Sequence, residues 1–506
     1  PEIAEAVDFA RWYAERAPEL DRIEGARFTP LGVVAVVPPW NFPVAIPAGG
    51  TLAALAAGNA VVFKPAPETP RCAEIVAEAC WAAGVPTDLL RFVRTLDDEV
   101  GRHLVTVVDG VILTGGHETA DLFRCWDPAM VLFAETSGKN ALVVTPQADL
   151  DLAAADLVSS AFSHQGQKCS AASLGILVGP VATDERFLRQ VVDAARSLQP
   201  GPAHDPATVL PPLISPPTGK LLDALTVLAP GEKWLLEPRC LDSQAASGGI
   251  GGVDDEAGQH WTPGIKVGVR PGSSFHRTEV FGPVLGLIAV ADLDEALAVQ
   301  NAVDHGLTGG IHSLDPDEVD HWLDGVEVGN AYVNKGITGA VVQRQPFGGW
   351  KRSSVGIGAK AGGPDYLLQL GTWASAVDLD EVDPAEIEAS DAEWWENHYG
   401  IGRDPAGLFC EANVHRYRPH PGLVIRIGPG ASEAEVDRVL AAATRCGAEP
   451  RVSRATDEDD ATFAGSLSAH RFGRIRAVGF LSETVRRAAM TAEVAVVDES
   501  VTPSGR

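Results

Sequence analysis

Short apolar runs alternate with helix-like patterns along the first 180 residues. The runs are rich in valine and bounded by glycine or proline, which is typical of strands buried on both faces. The segments between them are rich in alanine and repeat their apolar positions at helical spacing. Strands are predicted at 32–37, 60–63, 90–93, 110–114, 131–134 and 174–178, and helices at 52–57, 71–83 and 152–161. This alternation predicts a parallel α/β sheet.

The last quarter of the chain repeats the pattern on a smaller scale. An acidic stretch at 378–388 is interpreted as a linker, and Trp394 and Trp395 are expected to anchor a core or an interface. Beyond them, strands are predicted at 423–427, 475–478 and 494–497, and helices at 432–446 and 482–490. Ser432 is the expected N-cap of the first of these helices. We interpret this small α/β unit as a packing, lid or oligomerisation module.

Composition and charge narrow the classes of partner. The 506 residues are 45% hydrophobic and 21% charged, which fits a soluble globular protein of about three domains. The net charge of −28 repels nucleic acid and anionic membranes, so small molecules or proteins are the expected partners. Residues 28–63 carry no charge, but repeated Pro and Gly favour buried strands and a helix over a membrane span.

The cysteines predict a reducing compartment. There are seven, an odd number, with no C-x-x-C pair and no histidines at zinc-finger spacing. No disulfide framework and no metal site are expected, and a cytoplasmic location fits best. The chain begins with Pro1 inside a helix-like pattern, and we expect it to be part of a longer protein.

Cys169 is the first candidate for chemistry. It lies among Gly, Gln and Ser, between the helix predicted at 152–161 and the strand predicted at 174–178. A turn of this kind can present a nucleophile, although a lone cysteine is more often a small buried apolar residue.

Further candidates follow other predicted strands. Asn41 lies in a loop stiffened by prolines, and Lys64 follows the strand at 60–63. Gly115 and Gly116 form a turn that could bind phosphate, and Glu135 follows the strand at 131–134. Each has an ordinary alternative as a turn, a cap or a solvated charge.

In this order, the motifs resemble those of the NAD(P)-dependent aldehyde dehydrogenase superfamily. The separation of acid and thiol, 169 − 135 = 34 residues, agrees with that family. The matching segments are Pro-Trp-Asn-Phe-Pro at 39–43, Lys-Pro at 64–65, Thr-Gly-Gly at 114–116, Glu-Thr-Ser-Gly-Lys at 135–139, Gln-Lys-Cys at 167–169, Glu-Val-Phe-Gly-Pro at 279–283 and Pro-Phe-Gly-Gly at 346–349.

The resemblance implies a fold and a division into domains. The expected architecture is the α/β aldehyde dehydrogenase fold, a Rossmann-like cofactor domain and an α/β catalytic domain, with a small C-terminal α/β domain. The expected boundaries are 1–140 for the NAD-binding domain, 141–335 for the catalytic domain, 336–380 for a substrate loop and return segment, and 381–506 for the extension.

It also implies roles for individual residues. Cys169 would be the nucleophile, Asn41 a donor to the oxyanion, and Glu135 the base that activates the hydrolytic water. Lys64 would bind the adenine-side ribose, and the Gly115–Gly116 turn the pyrophosphate. Glu279 and Phe281 would contact the nicotinamide ribose and ring. The cofactor is expected to be NAD, but Pro67 stands where the family usually has an acid, so NADP stays open.

Within the superfamily, the segments 334–349 and 360–367 resemble the L-glutamate-γ-semialdehyde (1-pyrroline-5-carboxylate) dehydrogenases, especially the form fused to proline dehydrogenase. The implied reaction oxidises the semialdehyde to L-glutamate in proline catabolism. Ser170, Gly339 and Ala340 would hold the substrate's charged groups, and Phe42 and Phe347 its aliphatic chain.

The same resemblance implies a homo-oligomer with a fused or separate proline dehydrogenase partner. Two alternatives stay open: a dehydrogenase for another aldehyde, and a non-catalytic subunit of the same fold.

Overall fold

Strands and helices alternate through most of the chain in a computed structural model, which describes residues 1–96, 98–242, 258–469 and 473–506. The strands are β1 (Ala26–Pro30), β2 (Val33–Val37), β3 (Ala60–Phe63), β4 (Leu90–Phe92), β5 (Gly110–Thr114), β6 (Leu132–Glu135), β7 (Asn140–Val144), β8 (Ala172–Val178), β9 (Lys233–Leu236), β10 (Gly264–Val267), β11 (Val284–Val290), β12 (His305–Gly306), β13 (Thr308–His312), β14 (Asn330–Val333), β15 (Trp350–Lys351), β16 (Ser354–Val355), β17 (Gly371–Ser375), β18 (Leu423–Ile427), β19 (Arg451–Arg454), β20 (Arg474–Val478) and β21 (Ala495–Val497).

The α-helices lie mainly between these strands. They span Glu2–Arg16, Ala45–Ala56, Pro70–Ala82, Glu99–Thr106, His117–Trp126, Leu150–Phe162, Glu185–Ser197, Gly219–Thr226, Ser274–Arg277, Leu293–Asn301, Pro316–Gly325, Pro384–Trp394, Glu433–Arg445, Asp460–Ala469 and Glu483–Thr491. Among the described residues, no helix is both long and apolar enough to cross a bilayer.

The chain divides into two compact units. Unit 1 contains Pro1–Glu135, Ala340–Phe347 and Val355–Arg506, and unit 2 contains Thr136–Gly339 and Gly348–Ser354.

Unit 1 is built on a sheet in which its strands have the order β6-β5-β2-β3-β4. The pairs among β2 to β6 are parallel, so their carboxyl ends lie at one edge. Val34, Val61 and Leu90 are almost fully buried, which explains the apolar runs in the sequence. A separate antiparallel pair joins β1 and β17.

Unit 2 contains a seven-stranded sheet with the order β14-β13-β7-β8-β11-β10-β9. All its pairs are parallel except β9 with β10. Leu174 and Ile176 of β8 are fully buried at its centre. The predicted parallel α/β arrangement is therefore observed in both units.

The C-terminal part of unit 1 has its own four-stranded sheet, with the order β19-β18-β20-β21 and parallel pairs throughout. Three of the strands and two helices were predicted. Ser432 caps its helix as expected: its Oγ accepts from the Glu435 backbone N–H at 3.1 Å, and the Glu435 carboxylate accepts from the Ser432 backbone N–H at 2.9 Å. This is a capping box.

Three details differ from the predictions. The helix expected at 52–57 begins earlier, at Ala45. It can include Pro47 because this residue lies in the first turn, where the backbone N–H has no partner within the helix. The acidic stretch at 378–388 is not wholly a linker, because a helix begins at Pro384 with Asp383 as its N-cap. Strand Arg451–Arg454 and helix Asp460–Ala469 were not anticipated.

Candidate active site

Four candidate residues lie at the carboxyl edge of the unit 1 sheet. Asn41 follows β2 by four residues, Lys64 follows β3 directly, Gly115 follows β5, and Glu135 is the last residue of β6. Ligands of parallel α/β sheets bind outside this edge. The parallel ladder therefore brings together residues that are up to 94 positions apart in sequence (135 − 41 = 94).

Asn41 and Lys64 are both buried, at 4% and 3% exposure. Polar side chains buried to this extent are normally held by hydrogen bonds or ion pairs within the protein. Phe42, beside Asn41, is only partly buried, so its ring is not a core residue of unit 1.

The Gly115–Gly116 turn leads directly into a helix. Gly116 is the N-cap of helix His117–Trp126, and the Gly115 N–H donates to the Glu135 carbonyl oxygen at 3.1 Å. The first N–H groups of a helix have no partner within it and attract anions. The Gly115–Gly116 turn therefore lies at a helix start, as the phosphate prediction requires, and it is tied to the strand that carries Glu135.

Glu135 has a cationic neighbour in unit 1 that the sequence reasoning did not assign. Burial lowers the pKa of Lys360 to about 8, and the negative charge of Glu135 partly opposes this effect. Burial, and then the charge of Glu135, raise the pKa of Tyr366 well above its ordinary value. Glu135 therefore faces a lysine that can change its charge near neutral pH and a tyrosine that stays protonated.

In unit 2, Cys169 lies on the turn between helix Leu150–Phe162 and β8, as predicted, and it is partly buried. His164 and Gln165, upstream in the same turn, have positive φ angles of 60° and 56°. The Lys168 ammonium donates to Ser163 Oγ at 2.8 Å. Burial lowers the pKa of Lys168, while its attraction to Cys169 opposes that shift. A cation next to a thiol favours the thiolate.

Asn140, the first residue of β7, holds the Cys169 turn in place. Its side-chain amide donates to the carbonyl oxygens of Cys169 at 2.7 Å and Ala171 at 3.0 Å. Its Oδ1 accepts from the Thr308 backbone N–H at 3.0 Å. Asn140 is 2% exposed, so these bonds form without competition from water. The Asn140 side chain therefore holds the Cys169 carbonyl oxygen, which lies before the first residue of the β7–β8 ladder.

Gly138 lies directly against the same turn. A Cβ atom on Gly138 would approach the Cys169 carbonyl oxygen to 2.5 Å, which leaves no room for a side chain. The Gly138 N–H donates to Glu279 Oε1 at 3.0 Å. This short loop thus brings Glu279, a predicted cofactor residue, close to the backbone of Cys169.

Two further features surround Glu279. Phe281 has a φ of 56°, a left-handed conformation that is uncommon for an aromatic residue. Lys139 is almost fully buried, with Nζ 4.2 Å from the centroid of the Phe275 ring. Burial lowers the pKa of Lys139 to about 7, an effect that Glu279 opposes and Lys266 reinforces.

The predicted substrate residues fall into both units. Ser170 is buried, and its carbonyl oxygen accepts from Thr308 Oγ1 at 3.3 Å. Gly339 in unit 2 is exposed, with a φ of 144° that favours glycine. Ala340 and Phe347 belong to unit 1 and are partly buried. Phe347 exchanges two backbone hydrogen bonds with Ala361.

Tyr332 links the Gly339 loop to the thiol within unit 2. Its hydroxyl donates to the Gly339 carbonyl oxygen at 2.5 Å. Burial raises its pKa well above the ordinary value, and the charge of Cys169 adds to that shift. The loop expected to bind substrate is thus fastened by a side chain that also lies near Cys169.

Sequence reasoning missed Asn140, Tyr332 and Lys360 as site residues. Lys360 was noted only as part of a motif, although a lysine in a glycine-rich segment was a visible signal. Asn140 and Tyr332 act through contacts with residues far away in sequence, which no local pattern indicates. Within each unit the predicted residues cluster: Asn41, Lys64, Gly115 and Glu135 in unit 1, and Cys169, Ser170 and Glu279 in unit 2.

The fold is that of an aldehyde dehydrogenase. The profile of the aldehyde dehydrogenase family matches residues 1–373, and the chain belongs to that family. Among curated relatives, 1-pyrroline-5-carboxylate dehydrogenase from Geobacillus sp. (strain WCH70) is 36% identical over 388 residues, which are 72% of this chain and 72% of the relative. The protein of that name from Staphylococcus epidermidis is also 36% identical, over 391 residues.

Solved structures support the same family assignment. Proline utilization A (PutA) from Corynebacterium freiburgense is 47% identical, with a TM-score of 0.88 over 100% of this chain. This chain spans about half of that protein, 52% of its length. The Thermus 1-pyrroline-5-carboxylate dehydrogenase, solved with bound NAD, is 33% identical with a TM-score of 0.65, and the match covers 74% of this chain and 73% of that one.

These comparisons confirm the predicted family, its 1-pyrroline-5-carboxylate dehydrogenase branch and the fold class. Residues beyond 373 lie outside the family profile, but the Corynebacterium structure matches them as well. The relatives say nothing about individual residues, whose roles remain predictions.

Proposed function

We propose that this protein oxidises L-glutamate γ-semialdehyde, the open form of 1-pyrroline-5-carboxylate, to L-glutamate with NAD as the hydride acceptor. One structural observation supports dehydrogenase chemistry most strongly: a single sheet edge in unit 1 carries a buried amide, a buried lysine, a glycine turn at a helix start and a carboxylate. The relatives named for 1-pyrroline-5-carboxylate support the choice of substrate.

The residues at this edge suit a dinucleotide. The backbone N–H groups that follow Gly116 would bind its pyrophosphate, and Lys64 its adenine-side ribose. In unit 2, Glu279 and Phe281 would contact the nicotinamide ribose and ring. When bound, NAD accepts the hydride that leaves the substrate carbon.

Cys169 begins the reaction. Its thiolate attacks the aldehyde carbon and forms a C–S bond, while the carbonyl π electrons move to oxygen. The Asn41 amide and the Cys169 backbone N–H stabilise this oxyanion, and loss of such a donor typically costs a factor of about 10²–10³ in rate. Asn140 fixes the Cys169 backbone, so the direction of that N–H depends on the bonds described above.

Glu135 acts after the carbon has lost hydride and become a thioester. Its carboxylate takes a proton from water, and the resulting hydroxide adds to the thioester carbon. The C–S bond then breaks, which returns Cys169 as a thiol or thiolate and releases L-glutamate. Lys360 lies near Glu135 and favours the negative charge that a base requires.

The substrate's own charges explain the remaining assignments. Backbone N–H groups at Gly339 and Ala340 and the Ser170 hydroxyl would bind its carboxylate and amino group without a buried counter-charge. Phe42 and Phe347 would pack against its methylene groups. We further propose that a proline dehydrogenase, fused or separate, supplies the substrate, and that the native protein is a homo-oligomer in the cytoplasm.

Glu135→Gln tests the mechanism. The variant should release one equivalent of reduced cofactor per site in a rapid burst and then stall, with a steady-state rate lower by about 10²–10⁴, because only thioester hydrolysis needs the base. Stopped-flow absorbance measures the burst. Glu237→Gln, which alters an exposed acid of unit 2, should turn over like the wild type. A variant without a burst would place Glu135 before hydride transfer.

Substrate choice has a separate test. The rate of NAD reduction with L-glutamate γ-semialdehyde should exceed the rates with succinate semialdehyde and with simple alkyl aldehydes. Equal rates would favour a dehydrogenase for another aldehyde. Calorimetric titration with NAD addresses the non-catalytic alternative, since a chain that binds no NAD could not perform the reaction.

A further inference from the structure

His117, Asp121 and Glu493 form a group of three potential metal ligands in unit 1. One nitrogen and two carboxylate oxygens of these residues all lie within 4.8 Å of one another. His117 and Asp121 are one helical turn apart on helix His117–Trp126, so they share a face. Glu493 comes from the turn that follows helix Glu483–Thr491. Among the residues that the structure describes, no other such group occurs.

The separations suit a shared cation better than hydrogen bonds. His117 Nε2 lies 3.5 Å from Asp121 Oδ2 and 3.7 Å from Glu493 Oε1. Nitrogen–oxygen hydrogen bonds are shorter, about 2.7–3.2 Å. Two ligand atoms that each lie about 2.0–2.2 Å from a tetrahedral Zn²⁺ are roughly 3.3–3.6 Å apart. The imidazole nitrogen is therefore placed close to the tetrahedral distance from both carboxylates.

The burial of His117 and the two neighbouring carboxylates also favour a cation site. His117 is 7% exposed, so its ring is fixed by packing and its Nε2 is directed at both acids. Arg124 occupies the other oxygen of Asp121, with Nη2 2.5 Å from Oδ1, and leaves Oδ2 turned towards His117. The Glu493 side chain is about one-third exposed, which gives an ion a path to the group.

We propose that His117, Asp121 and Glu493 bind a divalent transition-metal ion of the zinc class. Zn²⁺ and Co²⁺ accept imidazole nitrogen together with carboxylate oxygen, whereas Mg²⁺ and Ca²⁺ prefer oxygen ligands alone. The ion would fasten the turn at Glu493 to the helix that begins at the Gly115–Gly116 turn, and so join the C-terminal extension to the cofactor sheet within unit 1.

The backbone of Glu493 is consistent with this role. Its φ is 57°, at a helix C-terminus where glycine is normally preferred. The Glu493 N–H donates to the Met490 carbonyl oxygen and the Val494 N–H to that of Ala489, so the turn is well formed.

Co²⁺ titration followed by visible absorption tests the proposal on the full chain. The wild type should bind one equivalent of Co²⁺ with the intense visible bands of a tetrahedral site, and Zn²⁺ should displace it. Glu493→Gln should weaken binding at least about tenfold, and His117→Gln at least as much. His321→Gln is the matched control, because it breaks an exposed histidine–carboxylate pair, 2.7 Å from Asp294, that lacks a third ligand.

Thermal unfolding provides a second measurement. Zn²⁺ at a concentration above its Kd should raise the Tm of the wild type and of His321→Gln, but not that of Glu493→Gln. If His117→Gln does not fold, the Glu493→Gln variant still tests the proposal, because Glu493 is partly exposed and its substitution should not prevent folding. The proposal fails if the wild type binds no Co²⁺ at millimolar concentration, or if Glu493→Gln binds it as tightly. It also fails if a thiolate-to-cobalt charge-transfer band shows that a cysteine holds the ion.

Discussion

The two units hold their candidate residues by different means. In unit 1, the residues lie at the ends of parallel strands, and the ladder of backbone hydrogen bonds places Lys64, Gly115 and Glu135. In unit 2, Cys169 lies outside the ladder, and the side chain of Asn140 places its carbonyl oxygen. Backbone hydrogen bonds hold the unit 1 residues without help from neighbouring side chains. The position of the Cys169 carbonyl oxygen, in contrast, depends on the Asn140 side chain.

Charge distinguishes the two regions as well. Glu135 in unit 1 lies near Lys360, whose proton can be lost near pH 8. The bonds that Asn140 makes to the Cys169 turn are between neutral groups, although Lys168 in the same turn donates an ammonium bond to Ser163 Oγ. We therefore expect the Asn140 bonds to respond to changes in geometry, and the surroundings of Glu135 to respond to pH as well.

Asn140→Ala should have the largest effect. It removes three hydrogen bonds and leaves the buried Thr308 N–H without an acceptor, which should lower the free energy of unfolding by about 3 kcal/mol. Because the Cys169 backbone is released, kcat should fall by about 10². Urea denaturation and steady-state kinetics measure the two effects.

Asn301→Ala is the control for this variant. Asn301, the last residue of helix Leu293–Asn301 in unit 2, donates to the Gly325 carbonyl oxygen at 2.8 Å and accepts from the Glu327 N–H at 3.0 Å, so neither of these bonds involves the Cys169 turn. Asn301→Ala should lower the free energy of unfolding by about 1 kcal/mol and leave kcat unchanged. An equal loss of kcat in both variants would mean that the Cys169 turn is not specially dependent on Asn140.

Gly138→Ala should come next. Its Cβ would lie 2.5 Å from the Cys169 carbonyl oxygen, a backbone atom that cannot rotate away, so the loop or the turn must shift. Overpacking of this kind lowers the free energy of unfolding by about 1–3 kcal/mol. The rate of Cys169 alkylation by iodoacetamide should change severalfold, since the turn that carries the thiol moves.

Gly115→Ala makes the same change at the unit 1 edge. Its Cβ would meet only Leu113 Cδ1, at 3.6 Å, an ordinary contact. Without NAD, its Tm and the alkylation rate should match the wild type. If Gly115→Ala perturbed alkylation as strongly as Gly138→Ala, the proposed difference between the units would be wrong.

The same difference explains what the sequence could predict. Strands β3 and β18 were located to the residue, because a short, mainly apolar run between turn signals reflects the local chain. Strand Arg451–Arg454 was not, because two of its four residues are arginines, and Arg451 is accommodated by an ion pair with Glu458. Cys169 and Glu135 were found by family motifs. Asn140 was missed, because its bond to a carbonyl 29 residues away depends on the tertiary fold.

Lys360→Met tests the electrostatic part of the comparison. The Lys360 pKa of about 8 lies below its ordinary value of 10.5, so between these values the unfolded chain binds more protons than the folded protein. Stability from this group should therefore rise as pH increases from about 8 to 10. The unfolding free energy of the wild type relative to Lys360→Met should increase over that range by on the order of 1–3 kcal/mol.

Denaturation curves at pH 7, 8, 9 and 10 would measure this difference. Lys233→Met, which changes an exposed lysine of unit 2, is the control for the loss of a lysine side chain. A difference between Lys360→Met and the wild type that stays constant with pH would show that Lys360 keeps its proton throughout, and that the surroundings of Glu135 are no more sensitive to pH than the bonds of Asn140.

Tyr332→Phe should have the smallest effect and is the most selective. It removes one hydroxyl, which donates to the Gly339 carbonyl oxygen, and leaves the ring in place. One buried hydrogen bond contributes about 0.5–1.5 kcal/mol, so KM for the semialdehyde should rise about threefold to tenfold while kcat changes little. Steady-state kinetics with varied aldehyde at saturating NAD would measure KM and kcat separately. A fall in kcat with KM unchanged would instead assign Tyr332 to the Cys169 turn, and would show that the thiol in unit 2 depends on a second side chain besides Asn140.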